Sequence, residues 1–238
     1  MDFLIRIEKE NTTLKSIAQC ESSVFINDAY RLKPLIYELE GVFDSERHLR
    51  VINTGTISKY SDRWGISSMT YLGNKYLRPV VDKAEFCKLF DNTYSSKSLK
   101  PKLIVKGLNL LDACYDELGQ VIPGIPTLVV QSEKIDDLLF SLGLLNSRFA
   151  GFYLKERFPA SSYNQGVTYS VDMINELPIP KDLPKSEKKI LVDLVKKILK
   201  IKLINPNEDI STFIDLIDEN VYKLFHLSQA EIEMITVG

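Results

Sequence analysis

The sequence predicts an α+β fold, with a twisted and mostly antiparallel sheet, a long packed helix and a helical C-terminal segment. Three observations carry this. Short β-branched stretches bounded by turn residues recur between Leu49 and Gln131. Residues 133–157 place Leu138, Leu142, Leu145, Phe149 and Phe152 on one face at spacings of three and four. After Pro184 the chain changes to Lys-rich amphipathic helices. At 238 residues and 45% hydrophobic composition the chain has the material for a substantial core, which excludes a disordered or fibrous class.

Residues 1–46 read as an extended opening followed by a helix over Ala29–Leu39, interrupted at Pro34. "LRVINTGTI" then reads as a strand, and "SMTYLGNKYLRPVV" as a second extended segment bent at Gly73-Asn74. "KLIVKGL", "LLDACYDELG" and "PTLVVQS" read as a meander, with Leu118-Gly119 as a turn. In its middle strand Asp112, Cys114 and Asp116 alternate with Leu111, Ala113 and Tyr115; Asp112, Asp116 and Glu117 could bind a metal, but at strand spacing they read first as a solvated face. "LPIP" and Pro184 read as a stiff exit, so the expected organisation is an α+β domain over 1–180 and a helical segment over 181–238. In that segment Ile190, Leu191, Leu194, Val195, Ile198 and Leu199 form one apolar stripe, and Phe213, Ile214, Leu216, Ile217, Val221 and Leu224 another. "SQAE" from Ser228 to Glu231 fits a capping box opening a last helix.

The net charge of −2 hides a sorting along the chain. Residues 47–106 hold 12 Lys and Arg against 4 Asp and Glu, while 1–46 hold 5 against 9 and 107–180 hold 4 against 9. A cationic block between acidic ones is the sequence form of a one-sided electrostatic footprint. Tyr60, Trp64, Tyr71 and Tyr76 interleave there with Lys59, Arg63, Lys75 and Arg78. Cations meet phosphates and rigid rings stack, so the block reads as a polyanion-binding surface for DNA or RNA.

Motifs for chemistry are absent. The sequence has no GxGxxG and no GxxxxGK[ST], and its two histidines, His48 and His226, lie in separate segments. "NPNE" at Asn205 lacks the aromatic residue of an amino-methyltransferase motif. Cys20, Cys87 and Cys114 form no CxxC pair and read as reduced, buried thiols. Asp82 and Glu85 beside Lys83 and Lys88 leave a metal-dependent nuclease fragment as an alternative. The N-terminus is no secretory signal, which points to a soluble, cytoplasmic protein.

"INTGTISKYSDRWG", "TYLGNKYLRPVV", "PKLIVKGL", "LLFSLGLLNSRFAGFYLKERFPASSYNQG" and "VDMINELPIP", in this order, resemble the TaqI-like C-terminal specificity domain of type II restriction–modification enzymes. The ending "FIDLIDENVYKLFHLSQAEIEMI" resembles the tail of such enzymes, and "LLNSRFAGFY" and "INELPIP" are shared with type I specificity subunits. The resemblance implies a target-recognition domain that holds double-stranded DNA for an upstream methyltransferase or endonuclease domain, with adenine as the usual target. The motifs of those catalytic domains do not occur here, so the chain alone is expected to catalyse no reaction and to need no cofactor. S-adenosylmethionine and Mg2+ are implied for the catalytic domains. A module that assembles without binding DNA by itself is the other alternative.

Candidate DNA contacts follow. Asn53, Thr54 and Thr56 sit where a strand turns, and Lys59, Arg63, Lys75 and Arg78 are the phosphate or guanine candidates. Trp64 and Tyr71 read first as packing rings and second as stacking ones. Asn164 and Gln165 are candidate adenine readers, or else a plain polar turn. Lys106 stands where the resemblance implies a basic residue.

Overall fold

A computed structural model describes residues 3–163 and 166–237. From the N-terminus run α1 (Phe3–Glu10), β1 (Asn11–Thr13), β2 (Gln19–Ser22), α2 (Ile26–Leu32), β3 (Tyr37–Glu38), β4 (His48–Ile52), β5 (Ile57–Ser58) and β6 (Ser61–Asp62). Next come β7 (Met69–Tyr71), β8 (Asn74–Tyr76), β9 (Pro79–Asp82), α3 (Lys83–Leu89), α4 (Thr93–Ser98), β10 (Lys102–Lys106), β11 (Ala113–Asp116), β12 (Val121–Pro123) and β13 (Thr127–Gln131). The chain continues through α5 (Ile135–Leu145), α6 (Arg148–Arg157), β14 (Ser162–Tyr163), β15 (Gly166–Val167), α7 (Val171–Asn175) and β16 (Pro178–Pro180). It ends with α8 (Lys185–Ile204), α9 (Ser211–Leu224) and α10 (Gln229–Val237).

The fold is α+β, as the patterning predicts, but its strands form two four-stranded sheets and several two-stranded ribbons. One sheet has the order β11-β10-β13-β2 and is antiparallel throughout. The other has the order β12-β4-β9-β3, with β12 parallel to β4. β11 and β12 are joined by a turn at Gly119, whose φ is +63°. A Cβ there would come within 2.3 Å of the Leu99 carbonyl oxygen, so the turn admits only glycine.

Each sheet builds its own core. The first gathers Leu103, Val105 and Val130 against Leu138, Leu142, Phe149, Val195 and Val221. The second gathers Leu49, Val51 and Val81 against Leu32, Met69, Tyr71, Phe86 and Tyr94.

Several sequence expectations change. The helix expected over 133–157 is two, α5 and α6, because Asn146 leaves the helical register. Its side chain accepts from Ala113 N–H at 2.9 Å and donates to Ala113 C=O at 3.0 Å. Ser147 then caps α6 by accepting from Ala150 N–H. The helix expected at Ala29–Leu39 is the earlier α2 followed by a 3-10 turn at Lys33–Leu35, since Pro34 cannot donate an intrahelical bond. "LPIP" is no exit but the strand β16, paired antiparallel with β1. Asp112 and Asp116 are buried rather than solvated, and Cys87 is exposed whereas Cys20 and Cys114 are buried.

The helical segment docks on the chain itself. Leu191, Val195 and Ile198 of α8 are buried and pack on α5, and Ile217, Val221 and Leu224 of α9 close the same core, while Ile190 stays half-exposed. The expected capping box is present: Glu231 accepts from Ser228 N–H at 2.7 Å, and Ser228 Oγ accepts from Glu231 N–H. Glu231 also pairs with Arg6 at 2.7 Å, which fastens α10 to α1. Among the described residues no helix is long and apolar enough to cross a membrane.

Candidate nucleic-acid interface

The cationic block is organised around the β7–β8 ribbon. Its two-residue turn, Leu72-Gly73, has φ of +43° and +92°. Two positive φ values in a two-residue loop match the twist of a tight hairpin, and glycine at the second carries no steric cost. Met69 and Tyr71 point inward and are each 1% exposed, whereas Thr70 and Lys75, directly paired across the ribbon, are exposed. Three bonds hold the inner side. Tyr71 OH donates to Ala29 C=O at 3.1 Å, Lys33 Nζ to Leu72 C=O at 2.7 Å, and Asn53 Nδ2 to Thr70 C=O at 2.9 Å. Burial drives the Tyr71 phenol well above its ordinary pKa, so it stays a neutral donor.

Beyond the ribbon, Arg63, Trp64 and Arg78 form one corner. The Arg78 guanidinium lies 5.3 Å from the Trp64 ring centroid and donates to Gly41 C=O at 2.8 Å. Trp64 Nε1 donates to Pro79 C=O at 2.8 Å, and its ring meets Phe43 edge-on. Arg63 donates to Ser67 Oγ at 3.0 Å and to Asn207 Oδ1 at 3.2 Å, reaching the loop between α8 and α9. Asp62 is held by Arg50 at 3.0 Å.

The remaining candidates are placed differently. Asn53 and Thr56 are buried in a reciprocal cap: Asn53 Oδ1 accepts from Gly55 N–H, and Thr56 Oγ1 accepts from Asn53 N–H. Their side chains, like that of Tyr71, therefore support the ribbon from below instead of reaching outward. Thr54 is half-buried beside them. Lys59 donates to Asn146 C=O at 2.7 Å, facing the α5–α6 corner. Lys106 pairs with Asp112 at 3.3 Å, which compensates its charge. Asn164 and Gln165 lie outside the described residues. Sequence reasoning missed Thr70, although the alternation Met69-Thr70-Tyr71 signals that it faces out.

The charge sorting survives folding in reduced form. Of the twelve cations, Arg47, Arg50, Lys97, Lys102 and Lys106 face carboxylates. Lys59, Arg63 and Arg78 are held by neutral oxygens, which fix their positions without cancelling their charge. Lys75, Lys83, Lys88 and Lys100 make no ion pair among the described residues. A second basic surface, Lys189, Lys197 and Lys200 on α8, is interrupted by Asp193.

Elsewhere the carboxylates do structural work. Asp82 caps α3, accepting from Ala84 and Glu85 N–H. Among the described residues no group of three or more His, Cys, Asp or Glu side chains could hold a metal ion. Asp218, 1% exposed, accepts from Arg148 N–H with one oxygen; its other oxygen lies 3.4 Å from Arg148 Nη1, and among the described residues neither it nor the hydroxyls of Tyr60 and Tyr222 have a hydrogen-bond partner.

No family model matches the chain, and no curated protein matches it. Among solved structures it is similar to the type IIG restriction endonuclease BpuSI, with a TM-score of 0.51 and 10% sequence identity. The match covers 90% of this chain and 31% of that one, so the chain spans about a third of the length of that enzyme. At this identity the likeness is one of fold.

Proposed function

We propose that the chain is the DNA-recognition part of a restriction–modification enzyme, of the kind its sequence resembles in the TaqI-like specificity domains. The observation that carries this reading is the fold shared over 90% of the chain with part of a type IIG restriction endonuclease. The anchored Arg63 and Arg78 of the corner, with the exposed Lys75 of the ribbon, support it. Duplex DNA carries about one negative charge per 1.7 Å of axis, so cations fixed on a rigid support meet phosphates with little entropy left to lose. In this reading Arg63 and Arg78 hold the backbone, Trp64 stiffens Arg78 from beneath, and a catalytic domain works on the DNA so positioned.

The test is fluorescence anisotropy of the full chain on a mixed-sequence duplex across a salt series. Three to six phosphate contacts give a slope of log K against log salt of roughly −3 to −5. Arg63→Gln with Arg78→Gln should make that slope shallower by about 2. Absence of binding at about 50 mM salt, or affinity indifferent to salt, overturns the proposal.

A further inference from the structure

We infer that the β7–β8 ribbon enters the major groove of the bound duplex, with Thr70 and Lys75 setting which base pair is accepted. This rests on the DNA-recognition reading above and adds to it the groove and the residues that discriminate. A major groove about 12 Å wide admits a two-stranded ribbon as it stands, whereas a minor groove about 6 Å wide takes one only when the duplex is widened and bent. The outer face of the ribbon and its continuation is Ser68, Thr70, Lys75 and Leu77, all exposed and none acidic. Glu38 of β3 accepts from the N–H groups of Leu77 and Arg78 at 2.9 and 2.6 Å.

Thr70 and Lys75 are cross-strand partners, so a hydroxyl, a methyl and an ammonium are presented side by side. That set suits base edges: the ammonium donates to guanine O6 and N7, the hydroxyl serves either partner, and the methyl meets the thymine methyl. The ribbon is braced from α2, from Lys33 and from Asn53, so its outer side chains have a defined position before DNA arrives.

The experiment selects duplexes from a randomised pool with the full chain and with its Thr70→Val, Lys75→Gln and Lys223→Gln variants. The wild type should enrich a motif, and the first two variants should relax or change it at one or two adjacent positions, with about 5- to 150-fold less discrimination there. Lys223→Gln, on α9, should enrich the wild-type motif. Replacing guanine by 7-deazaguanine at the affected position should weaken wild-type binding but not that of Lys75→Gln. If the wild type enriches nothing, the DNA-recognition reading falls and takes this inference with it. If it enriches a motif that Thr70→Val and Lys75→Gln both keep, even at lower affinity, the ribbon inference alone is overturned.

Discussion

Asp116→Ala should cost about 3–5 kcal/mol of folding stability, because it strands a buried ammonium. Lys102 is fully buried on β10 and faces Asp116 across the ladder, where the register pairs the two residues. Burial pulls the Lys102 pKa down, and the Asp116 charge opposes that pull. Lys102 Nζ also donates to Ser98 C=O at 2.6 Å, a neutral acceptor that cannot replace a carboxylate. Asp116 does more than compensate charge. It accepts from Gln120 N–H at 3.1 Å and Val121 N–H at 3.0 Å, and Val121 opens β12, which pairs with β4 of the second sheet. The substitution therefore removes a charge partner and two backbone acceptors at the seam between the sheets. Urea unfolding followed by circular dichroism measures the loss. A cost under about 1 kcal/mol would mean that Lys102 finds water or sheds its proton easily in the fold.

Asp218→Asn should have the opposite sign and stabilise the protein by about 1–3 kcal/mol near neutral pH. The two buried carboxylates differ in what they leave behind. Arg148, the partner of Asp218 at 3.4 Å, is half-exposed and also holds Asp215 at 2.9 Å, so loss of the Asp218 charge strands no cation. An asparagine oxygen can still accept from Arg148 N–H, and the second carboxylate oxygen, which is in the 3.4 Å ion pair but accepts no hydrogen bond among the described residues, becomes a neutral amide. Burial raises the Asp218 pKa, against the lowering influence of Arg148 and Lys59, while Asp215 adds to the rise. Tyr60 and Tyr222 face the same group and are neutral, their pKa values also raised by burial.

The sign of the pH dependence follows. Between the unfolded and the raised folded pKa the native state binds more protons, so Asp218 favours folding below the ordinary carboxylate range. That advantage is lost as pH rises through the folded value. The gain from Asp218→Asn should thus be larger at ~pH 7 than at ~pH 4 in paired unfolding curves. A variant less stable than wild type at ~pH 7 would show that the pair with Arg148 outweighs the cost of burying the charge.

Much of this architecture was legible in the residues. Period-two stretches marked the strands, the change at Pro184 marked the helical segment, and Ser228-to-Glu231 marked the last cap. Interruption of the expected long helix was not legible, because Asn146 works through Ala113, 33 residues away. Local patterning is likewise blind to whether Asp112 and Asp116 meet water or Lys106 and Lys102. At the candidate interface, Lys75 is exposed on the ribbon, while Arg63, Trp64 and Arg78 form the corner beyond it. Asn53, Thr56 and Tyr71 belong beneath it, since short polar side chains at a turn close a cap as readily as they reach a ligand. The ring of Tyr71 fills a core and spends its hydroxyl on Ala29. The alternation that turns Tyr71 inward is what turns Thr70 outward.

Formaldehyde cross-linking of the full chain to a mixed-sequence duplex, followed by peptide mapping, tests most directly whether the ribbon side faces DNA. The account expects the principal cross-link at Lys75, which is exposed on the ribbon and makes no ion pair among the described residues. Cross-links at Lys189, Lys197 and Lys200 of α8 with none at Lys75 would place the duplex on the helical segment and contradict it.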